Sequence, residues 1–328
     1  MTRTLKQVAA LLLLISGAAL YAQIGISMAL NRYVYMQHEH IFAKVTLRND
    51  SGRPLLFGKD PALQGFLLFD IRDSANRPIK SKSSADLSIT GLMLGPGEIR
   101  NVIVQLDRFY NLSEVGKYSV HAYVSHNALK HEYRCKNLFF EIGNGHEVWR
   151  RTVGVPDAVS GQKSSRYARE RIYSIRQLNE GRESSYYLIV EDASNIYGVT
   201  KVGNYIGFEK FHAEVDMLSR IHLLMPIAPR VYHYLAFSID GTPLTSTYWK
   251  TTDTIPILHR DPQSGKVTRL GGGRAIPGRD FVDPKRGKVT ISDILKADEK
   301  QTPQAPKNRG LVDLGKHAVP RLNNERHE

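Results

Sequence analysis

Between Tyr186 and Trp249 the chain writes one pattern twice. Val190-Glu191-Asp192-Ala193-Ser194-Asn195-Ile196-Tyr197 is answered, at a constant shift of 25 residues, by Val215-Asp216-Met217-Leu218-Ser219-Arg220-Ile221-His222. Each copy has a strand ending in an acid, a polar turn around Ser, and a second strand. Apolar runs joined by a short polar turn form antiparallel hairpins. The echo makes Val190, Ile196, Val215 and Ile221 equivalent core positions and puts Asp192 and Asp216 near the turns. Ser194 and Ser219 become turn residues that tolerate Gly or Asn.

The rest of the chain points the same way. From Ile24 to Ile142 short alternating segments recur with turns between them: Ile24–Leu30, His40–Leu47, Phe66–Arg72, Ile99–Leu106 and Gly116–Val124. Strands at this even spacing, with almost no helical periodicity, predict a β-sandwich over 23–142. Gly143-Asn144-Gly145 is a natural joint, with few side chains to pack across it. Residues 143–171, rich in Arg and poor in aliphatics, are expected to form a basic linker, with a mobile loop at 160–165 and a helical turn at 166–171. A second unit made of meander hairpins follows over 172–282, with Asp240-Gly241 closing the strand Arg230–Ile239. The chain is therefore all-β. The tail 283–328 loses its aliphatics and is expected to be disordered, although Val289–Ala297 suits a brief element.

Composition narrows the setting. The 328 residues carry a formal net charge of +13 and one cysteine, Cys135. A lone cysteine excludes an intrachain disulfide scaffold, and no spacing gives it a catalytic partner. Arg3 and Lys6, the apolar run Val8–Ile15 and small residues before Ala22 make residues 1–22 a signal peptide. An exported protein, periplasmic or extracellular, with no transmembrane helix after cleavage, is the expectation. The basic surplus suits an anionic partner, but no nucleic-acid motif is present.

Glu114-Val115-Gly116-Lys117-Tyr118-Ser119-Val120-His121-Ala122 resembles the tyrosine-corner stretch of immunoglobulin-like domains. The resemblance implies that the Tyr118 hydroxyl ties back to backbone just upstream, in a disulfide-free sandwich. The turn in Thr46–Leu55 looks like one found in bacterial extracellular Ig-like modules, including macroglobulin-type and proteinase-inhibitor-like ones. In the second unit, Glu214, Asp216, Arg220-Ile221-His222, Tyr232-His233-Tyr234 and Asp240-Gly241 look like a propeller-blade repeat of secreted bacterial proteins. Only two copies are present, whereas a closed propeller needs at least about four blades.

Chemistry-bearing residues gather on that second unit. His212, Glu214 and Asp216 share one face of a regular strand, and Glu214 and Asp216 are the candidate acids of a hydrolase. Residues i and i+2 lie about 6–7 Å apart, which a glycosidase pair accepts. His212, His222, His233, Tyr232 and Tyr234 are the candidate binding residues. His38-Glu39-His40 puts two imidazoles on one strand face without a third metal ligand. Gly271-Gly272-Gly273-Arg274 lacks the Lys-Ser/Thr of a nucleotide loop. No cofactor or metal is expected. The sequence favours an exported, non-enzymatic protein that presents two β modules to a protein or glycan surface. Its rivals are a glycan-active hydrolase and a proteinase inhibitor using the loop Leu56–Gln64.

Overall fold

The structure, a computed structural model, describes residues 24–82, 89–127, 131–156, 170–207 and 209–282. The signal segment 1–22, the loop 160–165 and the tail 283–328 lie outside the described residues. The described chain is all-β, built from antiparallel sheets with one parallel pair. None of its helices is long and apolar enough to cross a membrane.

Ten strands make the first unit: β1 (Ile24–Leu30), β2 (Val34–Met36), β3 (Phe42–Asn49), β4 (Leu55–Leu56), β5 (Gly65–Asp73), β6 (Met93–Leu94), β7 (Ile99–Gln105), β8 (Gly116–His126), β9 (Tyr133–Arg134) and β10 (Leu138–Gly143). A sheet ordered β1-β3-β7 faces one ordered β2-β10-β8-β5, with β9 beside β8 and β4 paired to β6. Strict alternation drives this. Ala43, Val45 and Leu47 of β3, Leu67, Phe69 and Ile71 of β5, and Val120, Ala122 and Val124 of β8 all enter one core. Their period-two partners stay in contact with water. A single helical turn, α1 (Leu106–Phe109), seals one end with Leu106 and Phe109. The Tyr118 hydroxyl donates to the Glu114 carbonyl at 2.7 Å, which is the bond expected at this corner. Its ring stacks on Phe140 with centroids 5.2 Å apart.

The second unit comprises β11 (His146–Gly154), β12 (Glu170–Glu180), β13 (Glu183–Glu191), β14 (Ile196–Asn204), β15 (His212–Val215), β16 (Ile221–Ala228), β17 (Val231–Phe237), β18 (Pro243–Lys250), β19 (Ile257–Arg260), β20 (Val267–Leu270) and β21 (Gly273–Arg274). The meander β11-β12-β13-β14 packs on β15-β16-β17-β18-β21, and β19 pairs with β20. Tyr173, Ile175, Leu188 and Val190 meet Ile221, Leu223, Leu235 and Phe237 in a shared core.

Residues 146–154 are not linker but the edge strand β11, paired with β12 along its length. An edge strand exposes most of its side chains, so its composition resembles a connector; only Trp149 and Val153 turn toward the core. Glu170 and Arg171 likewise open β12 rather than closing a helical turn.

The two echoed segments each form an antiparallel hairpin, β13–β14 around Ser194 and β15–β16 around Ser219. Asp192 and Asp216 cap their turns by accepting backbone N–H bonds. Val190, Val215 and Ile221 are buried, but Ile196 is 41% exposed. A bulge causes this: Val190 faces Gly198 while Glu191 faces Ile196, so Tyr197 is skipped and Ile196 turns outward. Ser219 also departs from a permissive turn residue. Its left-handed backbone (φ +57°) suits Gly or Asn, but it is buried, and its hydroxyl donates to Gly154 of β11 at 2.6 Å.

The joint at 143–145 is tightly packed, contrary to the expectation of few contacts across it. A Cβ on Gly143 would stand 2.8 Å from Leu178, and one on Gly145 would stand 2.9 Å from both the Gln177 carbonyl and Met36. Met36 shares a core cluster with Leu178, Tyr187 and Ile189. Above it, Arg32 donates to the Tyr187 hydroxyl at 2.6 Å and pairs with Glu39, while Lys201 pairs with Glu180 at 2.8 Å.

Two stability measurements check this account. Tyr118→Phe should lower unfolding free energy by about 0.5–1.5 kcal/mol in denaturant titration, because the Glu114 carbonyl loses its donor. Ile221→Ala should cost about 2–4 kcal/mol, whereas Ile196→Ala should stay within about 0.5 kcal/mol, since only the first removes core.

Candidate functional site

Leu138-Phe139-Phe140-Glu141-Ile142 must, as a strand, send alternate side chains to opposite faces. Phe140 and Ile142 enter the core, which leaves Phe139 and Glu141 outside. Phe139 is 68% exposed, and Tyr33, just before β2, is 70% exposed. The Tyr33 carbonyl accepts the Glu141 N–H at 2.8 Å, so the two aromatic residues bracket Glu141. A groove of about 630 Å³ opens here, across β2, β10, β8 and the turn after β5. Ser74, Asn76, Lys117 and Ser119 supply its polar lining. Lys117 lies directly across from Glu141 in register, so their charges offset one another. Asp73 also lines the groove, but its carboxylate is taken up by Ala75, Arg77 and its own turn.

The residues singled out on the second unit are placed differently. Glu214 lies on β15 and forms a 3.3 Å ion pair with Arg151 of β11. Asp216 falls just past the strand, so it does not continue the face of His212 and Glu214. Its side chain is 1% exposed, with Arg220 bound to one oxygen at 2.6 Å. His222 Nε2 stands 3.3 Å from that same oxygen, and His222 Nδ1 stands 2.8 Å from the Tyr234 hydroxyl. A carboxylate only accepts, so the neutral imidazole donates from Nε2 and accepts the Tyr234 O–H at Nδ1. Burial pushes the Tyr234 phenol up. Burial also works to raise Asp216, but the bonds from Arg220 and His222 outweigh it and hold the carboxyl below its ordinary range. For His222 burial dominates and lowers the pKa.

This is a buried chain of polar groups, each already bonded to the next. It joins the 216–220 turn to β16 and β17. His212, on the same face, is exposed. Tyr232 is pushed up to about 12 by burial and by a bond to Glu209. His233 lies on the opposite face, stacked on Tyr248 at 4.4 Å and bonded to Ser246 at 2.8 Å. The fold thus gathers Asp216, His222 and Tyr234 but sets His233 apart.

Other candidates resolve in the same way. His38 and His40 belong to a turn after β2, with His38 left-handed at φ +66°, so they do not share a strand face. His40 pairs with Asp107 at 3.0 Å. Among the described residues no cluster of three ligand-type side chains could hold a metal. Burial pushes the Cys135 thiol up, and its sulfur accepts the Ala122 N–H. The 56–64 loop closes on itself through Gly58 N–H to Leu63 at 2.9 Å. A second cavity, about 440 Å³, is lined by Arg171, Asp192 and Tyr197. There Arg171 stacks on Tyr197 at 3.6 Å and pairs with Asp192 and Asp240, so its charge is matched internally.

No family model matches the chain, and no curated protein matches it. Among solved structures it is similar to the Pseudomonas fluorescens alkylpurine DNA glycosylase AlkC bound to DNA containing an abasic site analog, at 19% identity and TM-score 0.24, over 40% of this chain and 33% of that one. It is also similar to a family 123 glycoside hydrolase from Clostridium perfringens, at 11% identity and TM-score 0.23, over 38% and 28%. A third is the sporulation control protein Spo0M from Bacillus subtilis, at 8% identity and TM-score 0.24, over 56% and 90%. The chain spans a third or less of the first two. At these scores none of the three bears on function.

The buried chain makes stability depend on pH. The folded pKa of His222 lies below the ordinary 6.5, so the unfolded state binds the extra proton as pH falls past that value. Stability conferred by the neutral form is therefore complete above pH 6.5 and declines below it. Asp216 adds a second loss, beginning near 3.8 as pH falls toward its lowered pKa. His222→Gln should flatten the pH dependence of denaturant midpoints between neutrality and the lowered His222 pKa, while leaving the steeper acid limb in place.

Proposed function

We propose that this chain is an exported, non-catalytic binding protein whose first unit, an Ig-like sandwich, holds a neutral saccharide chain in the Tyr33–Phe139 groove. One observation carries the proposal: two exposed aromatic rings bracket a row of hydrogen-bonding side chains in one open groove. Sugar rings present C–H faces that stack on aromatic rings and hydroxyls that both donate and accept. Ser74, Asn76 and Ser119 meet that need, while Lys117 and Glu141 offset each other's charge. The groove crosses strands β2, β10 and β8 on the sheet face. A strand-adding peptide needs a free edge of some length, and β2, the edge strand here, has three residues, so side-chain recognition fits this site better.

The candidate acids support the non-catalytic reading. Asp216 is buried with its oxygens occupied, and Glu214 is paired to Arg151. A general acid needs a proton within reach of substrate, and these two carboxylates do not share an open cleft with the groove residues. The Tyr118–Glu114 bond supports the Ig-like assignment. Export rests on the signal-like segment 1–22.

Calorimetric titration with neutral oligosaccharides, namely cello-, malto- and N-acetylchito-hexaose, tests the proposal. At least one should bind. Tyr33→Ala and Phe139→Ala should each weaken it by about tenfold or more without shifting the melting temperature, since both side chains are exposed. Unchanged affinity in both variants would sink the groove assignment.

A further inference from the structure

The two aromatic walls of the groove are anchored in different units. Phe139 and Tyr33 both project outward, so the backbone on either side of each decides where it stands. Around Phe139 that backbone belongs to the first unit. Phe140 is part of its core, and Leu138 packs against the same core.

Around Tyr33 both neighbours are held by the second unit. Val34 packs on the cluster that Met36 forms with Leu178, Tyr187 and Ile189. Arg32 donates from Nη1 to the Tyr187 hydroxyl at 2.6 Å. Its guanidinium carbon lies 5.4 Å from the ring centroid of Tyr35, a first-unit residue, and 6.0 Å from that of Tyr187. β2 pairs with β10 over three positions at the edge of its sheet, so these contacts carry much of its placement.

Tyr187 stands at the centre of the arrangement and is fully buried. Its hydroxyl accepts from Arg32 and donates to Glu180 Oε1 at 2.5 Å, so both of its roles are used. Arg32 also pairs with Glu39, and Lys201 pairs with Glu180. The line Glu39–Arg32–Tyr187–Glu180–Lys201 thus crosses from one unit to the other with its charges balanced. A closed polar chain of this kind holds its members in one geometry.

We propose that Tyr187 is a positioning residue for the groove: acting on Arg32, and beside Ile189 on Val34, it fixes the Tyr33 backbone, so that the spacing of the two walls depends on how one unit packs on the other. The ligand part of this proposal rests on the reading of the groove as a saccharide site; the placement of Tyr33 does not. Coupling between a site and a packing equilibrium is reciprocal, so a ligand spanning both walls also strengthens the contact between the units.

Amide hydrogen exchange of the full chain, first without ligand, tests the placement. The Glu141 N–H donates to the Tyr33 carbonyl at 2.8 Å and so reports on the Tyr33 backbone directly. Tyr187→Phe keeps the ring and should speed exchange at Glu141 by about fivefold or more, while Val120 and Val124 in the first-unit core exchange as in the parent. Ile189→Ala leaves every first-unit side chain in place and should act in the same direction. Both variants should bind the hexaose that the parent binds about fivefold more weakly, at the low end of ordinary coupling between sites. Unchanged exchange at Glu141 in both variants would overturn the proposal. So would faster exchange shared equally by Val120 and Val124, which marks a general loss of stability, or faster exchange at Glu141 with undiminished affinity. A parent chain that binds none of the hexaoses would sink the saccharide reading separately, and exchange at Glu141 would then decide by itself whether the second unit positions Tyr33.

Discussion

The backbone at Gly145, left-handed at φ +60°, approaches the Gln177 carbonyl so closely that a Cβ there would stand 2.9 Å from it, while one on Gly143 would press on the tip of the Leu178 side chain at 2.8 Å. That approach sets how β10 leaves the first unit and β11 enters the second. The same two short strands serve both ends of the arrangement. β2 and β10 run parallel, with Met36 opposite Gly143 at the joint, and Gln37 adds a 2.8 Å bond to the Gly143 carbonyl. At their other end stand Tyr33 and Phe139, the walls of the groove. β2 is three residues long and has little pairing of its own to hold it. Its position depends on Met36 seated among Leu178, Tyr187 and Ile189 and on Arg32 bonded to Tyr187 and Glu39. The groove is thus a first-unit feature whose shape is supported by the second.

Polar groups divide into those used up by the fold and those left for a partner. Asp216, His222 and Tyr234 bind one another in a chain that Arg220 closes from the surface. Buried polar groups of this kind stabilise only when each is satisfied, and removing one strands the next. Lys117 and Glu141, by contrast, project from the first unit with no ion pair among the described residues. The proposed recognition rests on the second kind. Chemistry at Asp216 would first require breaking the bonds that hold its turn.

The strand pattern of the first unit is legible because burial there follows period two, as in β3, β5 and β8, whereas β13 and β16 of the second unit are buried on both faces and read as continuous apolar runs. The corner at Tyr118 was legible because a hydroxyl in that position reaches only local backbone. Four features are not legible, each for an identifiable reason. The echo with Ile221 puts Ile196 in the core, but a one-residue bulge at Tyr197, invisible in the local sequence, turns it outward. β11 reads as linker in the sequence because an edge strand with two inward residues carries almost no apolar signal. The groove was missed although Phe139-Phe140 held the clue: adjacent aromatic residues in one strand cannot both be buried in one core. Tyr33 had no such signal, since its exposure depends on how β2 joins β10. Glu214 and Asp216 read as a pair because residues i and i+2 of a regular strand share a face, whereas β15 ends at Val215, Asp216 is spent on capping its turn and Glu214 pairs with Arg151.

The account stands on saccharide held, intact, between Tyr33 and Phe139. A two-dimensional amide NMR titration with the oligosaccharide that binds would test this most directly, because it locates the contact and follows the ligand together. The account predicts shifts concentrated at Tyr33, Ser74, Asn76, Lys117, Ser119, Phe139 and Glu141, with the saccharide unchanged at the end. Shifts centred on Glu214, Asp216 and His222, or shortening of the saccharide during the titration, would contradict it.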